Sequence, residues 1–203
     1  DAAECETMSA YDTDAPLIAM RHWQGDFGPV LQRFLQLTRQ SPGPIVDVGC
    51  GSGRDIAALA ERGLPCIGVD SSQGMLREAR LRVSGPLVAW LQADMRSIPL
   101  ADGSCGGVWS NASLLHLDGT GQSAALSEFR RLLNPGCPLW VSTLPGRGWT
   151  ARRSASGFRR WFWGTDLPSF TRIVSAAGFQ VASAQMEPGI IDGEWICLLA
   201  VAG

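Results

Sequence analysis

The sequence predicts an α/β protein: a doubly wound, mostly parallel sheet of seven strands, with one antiparallel strand near the C terminus and helices on both faces. Three observations predict it. Short apolar runs alternate with helical spacings from residue 45 onward, and glycine or proline breaks separate them. The linker between the last two apolar runs is too short for a helical crossover. Strands spaced by helices imply right-handed crossovers and parallel neighbours, whereas a short linker forces an antiparallel pair.

Taken in order, residues 1–26 are mixed, with acids at Asp1, Glu4, Glu6, Asp12 and Asp14. Over 27–40, Val30, Leu31, Phe34, Leu35 and Leu37 recur at helical spacing, and Ser41-Pro42-Gly43-Pro44 stops that helix. A strand over 45–49 leads to a helix over 54–62 closed by Gly63. A second strand over 65–70 leads to a helix over 72–82 with a serine cap at its start. Strands follow at 87–92 and 106–110, then a helix over 121–133 with Leu126, Phe129, Leu132 and Leu133 on one face. A strand at 138–143, a helix at 166–177 ended by Gly178, and strands at 180–185 and 194–201 complete the series. A length of 203 residues suits one domain with one core. Its expected parts are a helical cap over 1–42, the alternating body, and an insertion over 144–165 that forms a flap.

Composition excludes several function classes. A formal net charge of −2 leaves no global basic field for nucleic acid or an anionic membrane. All 17 basic residues are arginine, so a Schiff-base lysine and a P-loop lysine are both absent. The six cysteines form no C-x-x-C pair and have no neighbouring histidines, which argues against a metal site. The first residues, D-A-A-E-C-E-T, lack the charged and apolar regions of a signal peptide, and no apolar stretch approaches a membrane span. The expectation is a reduced, cytoplasmic protein with no membrane partner.

The first strand runs directly into D-V-G-C-G-S-G-R-D at 47–55. Gly49, Gly51 and Gly53 permit a sharp turn and let a ligand approach the backbone, and the following helix offers free N–H groups. In an open parallel sheet this crevice is where ligands bind. A dinucleotide fingerprint would need glycine at 54, where this chain has Arg54. Asp47, two residues before the first glycine, suits an ammonium group better than a pyrophosphate. Asp70 ends the second strand, where its carboxylate can accept two ribose hydroxyls. Asp94 and Met95 end the third, where they can meet an adenine amino group and cover its ring.

The motifs D-V-G-C-G-S-G-R-D, G-V-D-S-S, Q-A-D-M and G-V-W-S-N-A-S-L-L-H-L resemble successive motifs of class I S-adenosylmethionine-dependent methyltransferases, most of all small bacterial members acting on small molecules. L-N-P-G-C and A-A-G-F continue the resemblance, which covers roughly 43–186. It implies a Rossmann-like domain binding S-adenosylmethionine and releasing S-adenosylhomocysteine. It implies that Asp47, Gly49, Gly51 and Gly53 surround the methionine part, Asp70 and Ser71 the ribose, and Asp94 and Met95 the adenine. By the same resemblance Ser110 and Asn111 line the floor beside the sulfonium. Tyr11 is one of an aromatic pair closing over the donor, its partner lost near Ile18.

The acceptor side is open to more than one reading. His116 follows the fourth strand, either as a neutral base that takes a proton from the acceptor or as a packed structural residue. As a base it would give the rate an ascending limb near the ordinary histidine pKa of about 6.5. Trp90, Trp140 and Trp195 read as core. Trp23, Trp149 and Arg160 are candidate acceptor contacts, the last two from an insertion with five arginines and no acid over 146–164. That stretch is either a flap with a solvated cationic face or an acceptor pocket. Interleaved arginine and aromatics also occur in RNA sites, a lesser reading for an acidic chain. The expected function is methyl transfer to an O, N or C atom of a small molecule. The alternatives are a protein that keeps the donor pocket for other chemistry or for binding alone, and a nicotinamide oxidoreductase, disfavoured by Arg54.

Overall fold

The computed structural model describes residues 2–23, 28–38, 43–188 and 193–203. Two helices, α1 (Ala2–His22) and α2 (Gly28–Thr38), precede the alternating body. The body runs β1 (Ile45–Val48), α3 (Arg54–Ala60), β2 (Cys66–Asp70), α4 (Gln73–Arg82), β3 (Val88–Gln92), β4 (Gly107–Ser110), α5 (Gly119–Leu132) and β5 (Pro138–Thr143). Then come β6 (Gly148–Arg153), β7 (Arg159–Gly164), α6 (Leu167–Ala176), β8 (Phe179–Pro188) and β9 (Glu194–Ala202). Seven strands form one sheet in the order β3-β2-β1-β4-β5-β9-β8, and only β9 pairs antiparallel with its neighbours. The predicted fold class is the observed one. The predicted helix stop at Ser41 and Pro42, and the turn between the last two strands, lie outside the described residues.

Each face of the sheet carries its own core. Val46, Val48, Val108, Leu139 and Val141 pack on Leu126, Phe129 and Leu132 of α5 and on Phe170 and Val174 of α6. Alternation sends Ile45, Trp109 and Trp140 to the opposite face, against Leu31 and Phe34 of α2 and Ile56 and Leu59 of α3. There Trp109 stacks on Trp140 at 5.4 Å and meets Phe34 edge-on at 5.2 Å. Trp90 and Trp195 are half-buried against this second core, as the sequence reading placed them. The caps follow the sequence too: the Ser72, Asp118 and Asp166 side chains accept from Met75, Gly121 and Ser169 backbone N–H groups.

Two regions are defined more closely than in the sequence reading. Within the expected helical cap over 1–42, one helix of 21 residues runs over 2–22. Small residues bury it: Ala10, Ala15, Ile18 and Ala19 face inward, and Ile18 and Ala15 meet Met75 of α4. The insertion is a separate two-stranded antiparallel ribbon, β6–β7, packed on α1 through polar contacts. Trp161 N–H donates to Thr7 Oγ1 at 2.9 Å, its indole N–H to Glu6 at 2.9 Å, and Arg159 to Glu6 at 3.1 Å. Asp14 accepts from Ser156 at the ribbon's turn. The acids of the N-terminal stretch are thus the counterparts of the arginine-rich insertion.

Candidate methyl-donor site and the cavity beside it

The carboxyl ends of β1, β2 and β3 open into a cavity of about 300 Å³, within the usual range for small-molecule sites. One part of its wall comes from Gly49 and Gly51 of the glycine loop, Asp70, Ser71 and Ser72 after β2, and Ala93, Asp94 and Met95 after β3. The rest comes from α1, through Glu4, Cys5, Thr7, Met8, Tyr11 and His22, and from Ala112, Ser113, His116 and Leu117 after β4.

Asp70 is held by two backbone donors. Gly51 N–H reaches one carboxylate oxygen and Ser72 N–H the other, both at 2.8 Å. Burial raises its pKa against these bonds, which lower it. Each oxygen keeps a lone pair for hydroxyl donors from a ligand. Gly51 has φ +53°, and a Cβ there would touch only the Met75 methyl at 3.4 Å, so its space is left to the cavity. Gly49 is required for a different reason: a Cβ would lie 2.2 Å from that of Ser113. Gly53 is required by packing, since a Cβ would meet the Trp90 ring at 2.7 Å.

Asp94 sits on the wall, but Arg96 already grips it. The guanidinium donates to both oxygens, at 2.7–3.2 Å, and holds the carboxyl below its ordinary pKa. The same Arg96 reaches Glu4 of α1 at 3.0 Å, tying the β3 end of the crevice to the helix that roofs it. Asp12 completes the attachment, accepting from Ser72 Oγ at 2.7 Å and Gly74 N–H at 2.8 Å.

Several residues expected at the site stand behind it. Asp47 is buried at β1, where burial and then the charge of Asp55 push its pKa well above the carboxylate range. Ser110 is fully buried and bonds Ser113 Oγ at 2.6 Å. Asn111 donates to Asp55 at 3.2 Å and accepts from Ser142 at 2.6 Å, while Ser142 accepts the Ala112 N–H at 2.8 Å. These bonds hold Ala112 at φ +57°, a strained conformation for a residue with a side chain. Ala112 and Ser113, the next two residues, line the cavity where Ser110 and Asn111 were expected to. Trp23 is exposed at the end of α1, and Trp149 packs edge-on against Trp163 at 5.4 Å in the ribbon, so neither lines the cavity. Arg160 stands just behind the wall, its guanidinium carbon 5.6 Å from the Tyr11 ring centroid.

His116 has both ring nitrogens engaged. Nδ1 lies 2.8 Å from the Trp161 carbonyl and Nε2 2.9 Å from the Tyr11 hydroxyl. A carbonyl only accepts, so the proton sits on Nδ1 and Nε2 receives the Tyr11 O–H. Burial, reinforced by Arg160 and His22, holds His116 down at about 4. Burial and the charges of Arg54 and Arg160 hold His22 at about 4 as well. The expected titration near 6.5 is corrected accordingly: the ring is neutral throughout the physiological range. The linkage has a definite sign. Between about 6.5 and 4 the unfolded chain binds a proton at His116 that the folded chain does not, so stability falls with falling pH across that window, by on the order of 3 kcal/mol for this histidine. Asp47 and Asp70, with raised pKa values, act in the opposite sense. The measurement is therefore a difference: urea titrations at pH 7 and pH 4.5 should show a smaller loss for His116→Asn than for the wild type.

Sequence reasoning missed Glu4, Met8, His22, Arg96 and Ser113, because their places depend on how α1 and the β4 turn cross the sheet. One usable signal was present: acids in the N-terminal stretch facing an acid-free, arginine-rich insertion.

The doubly wound sheet, the glycine loop after β1 and the acids at the ends of β2 and β3 have the arrangement that a resemblance to class I S-adenosylmethionine-dependent methyltransferases implies. Residues 45–136 match the family described as "Methyltransferase domain". An uncharacterized methyltransferase of Mycobacterium bovis is 37% identical over 99 residues, 49% of this chain and 49% of that protein. The O-methyltransferase resE of Aspergillus sclerotiorum is 31% identical over 105 residues, 49% of this chain and 39% of its own. The chain matches half or less of the length of these curated relatives. Magnesium protoporphyrin IX methyltransferase from Synechocystis, solved with S-adenosylmethionine bound, shares the fold with a TM-score of 0.74 and 19% identity, covering 99% of this chain and 97% of that one. Among the described residues no helix is long and apolar enough to cross a membrane.

Proposed function

We propose that this chain is a methyltransferase that moves the methyl group of S-adenosylmethionine to a small-molecule acceptor held between α1, the β4 turn and the ribbon. The observation that carries the reading is Asp70, pinned by Gly51 and Ser72 N–H groups on the wall of a cavity bounded by the glycine loop. In this reading Asp70 and Ser71 hold the ribose, Met95 covers the adenine and Asp94 meets its amino group. Gly49 and Gly51 leave room for the methionine part, with Tyr11 above it. Asp47, Gly53, Ser110 and Asn111 act by shaping the loop and floor. Arg160 serves the acceptor from behind Tyr11, while Trp23 and Trp149 meet only an acceptor that extends beyond the cavity.

When bound, the donor supplies a methyl group on a positively charged sulfur, a leaving group that needs no acid. The chain's part is then to orient the acceptor and exclude water, and to take a proton where the acceptor carries one. The small-molecule acceptor in the name of magnesium protoporphyrin IX methyltransferase supports this class. The five buried, unpaired thiols suit a reducing cytoplasmic setting. Incubating the protein with S-adenosylmethionine and a panel of hydroxylated and amino aromatic compounds should release S-adenosylhomocysteine in proportion to a methylated product. Donor binding by calorimetry without turnover of any acceptor would favour the non-methylating alternative, and binding of NADH in preference would revive the oxidoreductase.

A further inference from the structure

The chain has one tyrosine, two histidines and no lysine, and Tyr11, His22 and His116 all line the same cavity. These are the side chains best suited to moving a proton near neutral pH, two of them from α1 and His116 from the distant turn after β4. Two of them are bonded in a fixed direction. The Trp161 carbonyl keeps the His116 proton on Nδ1, which leaves the Nε2 lone pair aimed at the Tyr11 hydroxyl. With Nε2 occupied in this way, the nearest group an acceptor can meet is the Tyr11 oxygen.

We propose that Tyr11 is a catalytic residue of the transfer, passing the proton of a hydroxyl acceptor to His116. The inference deepens the methyltransferase reading and rests on it. The acceptor O–H gives its proton to the Tyr11 oxygen as the Tyr11 proton moves to Nε2 of His116. The electron pair left on the acceptor oxygen forms the bond to the methyl carbon, and the pair of the broken carbon–sulfur bond stays on sulfur. One positive charge leaves the sulfonium as one arrives on the imidazole, so the net charge of the buried site is unchanged.

The acceptor class follows from the surrounding charges. Tyr11 faces His116, the guanidinium of Arg160 from β7 and, further off, the carboxylate of Asp70. Arg160 has a buried Nε with no hydrogen-bond partner among the described residues. His22, neutral, completes this part of the wall. A protonated amine would be repelled here by Arg160 and by the donor's own sulfonium, whereas a phenolic or enolic hydroxyl meets a cation that favours loss of its proton. The structure therefore points to oxygen as the methylated atom.

The test uses Tyr11→Phe, which keeps the ring and its packing on His116, with substituted phenols and benzylamines of matching shape as probes. The expected result is turnover of the phenols and not the amines, with kcat lowered by about a hundredfold or more in the variant and donor affinity by calorimetry unchanged. In the Tyr11→Phe/His116→Ala double variant the loss should match that of either single one within about threefold, because both remove one relay. Histidine-selective nitrogen NMR of the wild type should show His116 protonated at Nδ1, with an Nε2 signal that shifts in Tyr11→Phe. Wild-type turnover by Tyr11→Phe, preference for the amines, or a proton on Nε2 would each overturn the relay. A wild-type protein that fails to bind S-adenosylmethionine would instead overturn the underlying function.

Discussion

With alanine in place of His116, kcat is expected to fall about 10²–10⁴-fold, the range associated with loss of a general base. Donor affinity should be unchanged, since the residue lies after β4 and away from the Asp70 side of the cavity. The wild-type rate should be flat between pH 5.5 and 8, because burial and the charge of Arg160 keep the ring neutral down to about 4. An ascending limb near 6.5 would show that the ring is solvated in the working enzyme and that the relay geometry does not persist. The substitution also removes the bonds to the Tyr11 hydroxyl and the Trp161 carbonyl, so some stability is lost in either case. The kinetic readout separates the roles. If the folded variant turns over within a few-fold of wild type while stability drops by about 1–3 kcal/mol, His116 is a packing residue and orientation alone supplies the catalysis.

Alanine at Asp70 should weaken S-adenosylmethionine binding at least tenfold, because a charge-assisted pair of hydrogen bonds contributes roughly 1.5–3 kcal/mol. The carboxylate also organises its surroundings: without it the Gly51 and Ser72 N–H groups lose their acceptors, and the glycine loop loosens where the donor must approach. Asp70→Asn tests this separately. It keeps the side-chain shape and one acceptor oxygen, so one of the two loop bonds should persist while the other meets an NH2 donor and the ribose loses a charged partner. Calorimetry on both variants, alongside thermal melts, reads the two contributions. Unchanged affinity in a folded Asp70→Ala protein would remove the assignment.

Much of the molecule was legible from residue types alone. Period-two apolar runs and helical spacing placed the strands of the main sheet within a few residues. The serine cap at Ser72 announced a helix start because its chemistry is local. The place of Asp70 on the cavity wall was legible for the same reason, since it ends a strand beside a glycine turn. Helix α1 was not. Its inward face is made of alanine and one isoleucine, which leaves little hydrophobic contrast along the sequence, and four of its acids find partners on α4, after β3 and on the ribbon.

By itself, then, the sequence determined the order of the elements, the doubly wound sheet and the side of it on which the cavity opens, since each depends on periodicity and on turn chemistry within a few residues. Only the tertiary structure decided which side chains reach the cavity. Asp47 is buried and Ser110 and Asn111 are held by bonds to other side chains, while Ala112 and Ser113 reach the cavity because the Ser142 and Asn111 contacts hold a left-handed residue there. Tyr11 and His116 meet because α1 crosses the end of the sheet and the ribbon carbonyl of Trp161 fixes the imidazole proton. Such contacts join residues 30 to 105 positions apart, and their geometry is set by packing rather than by any local pattern.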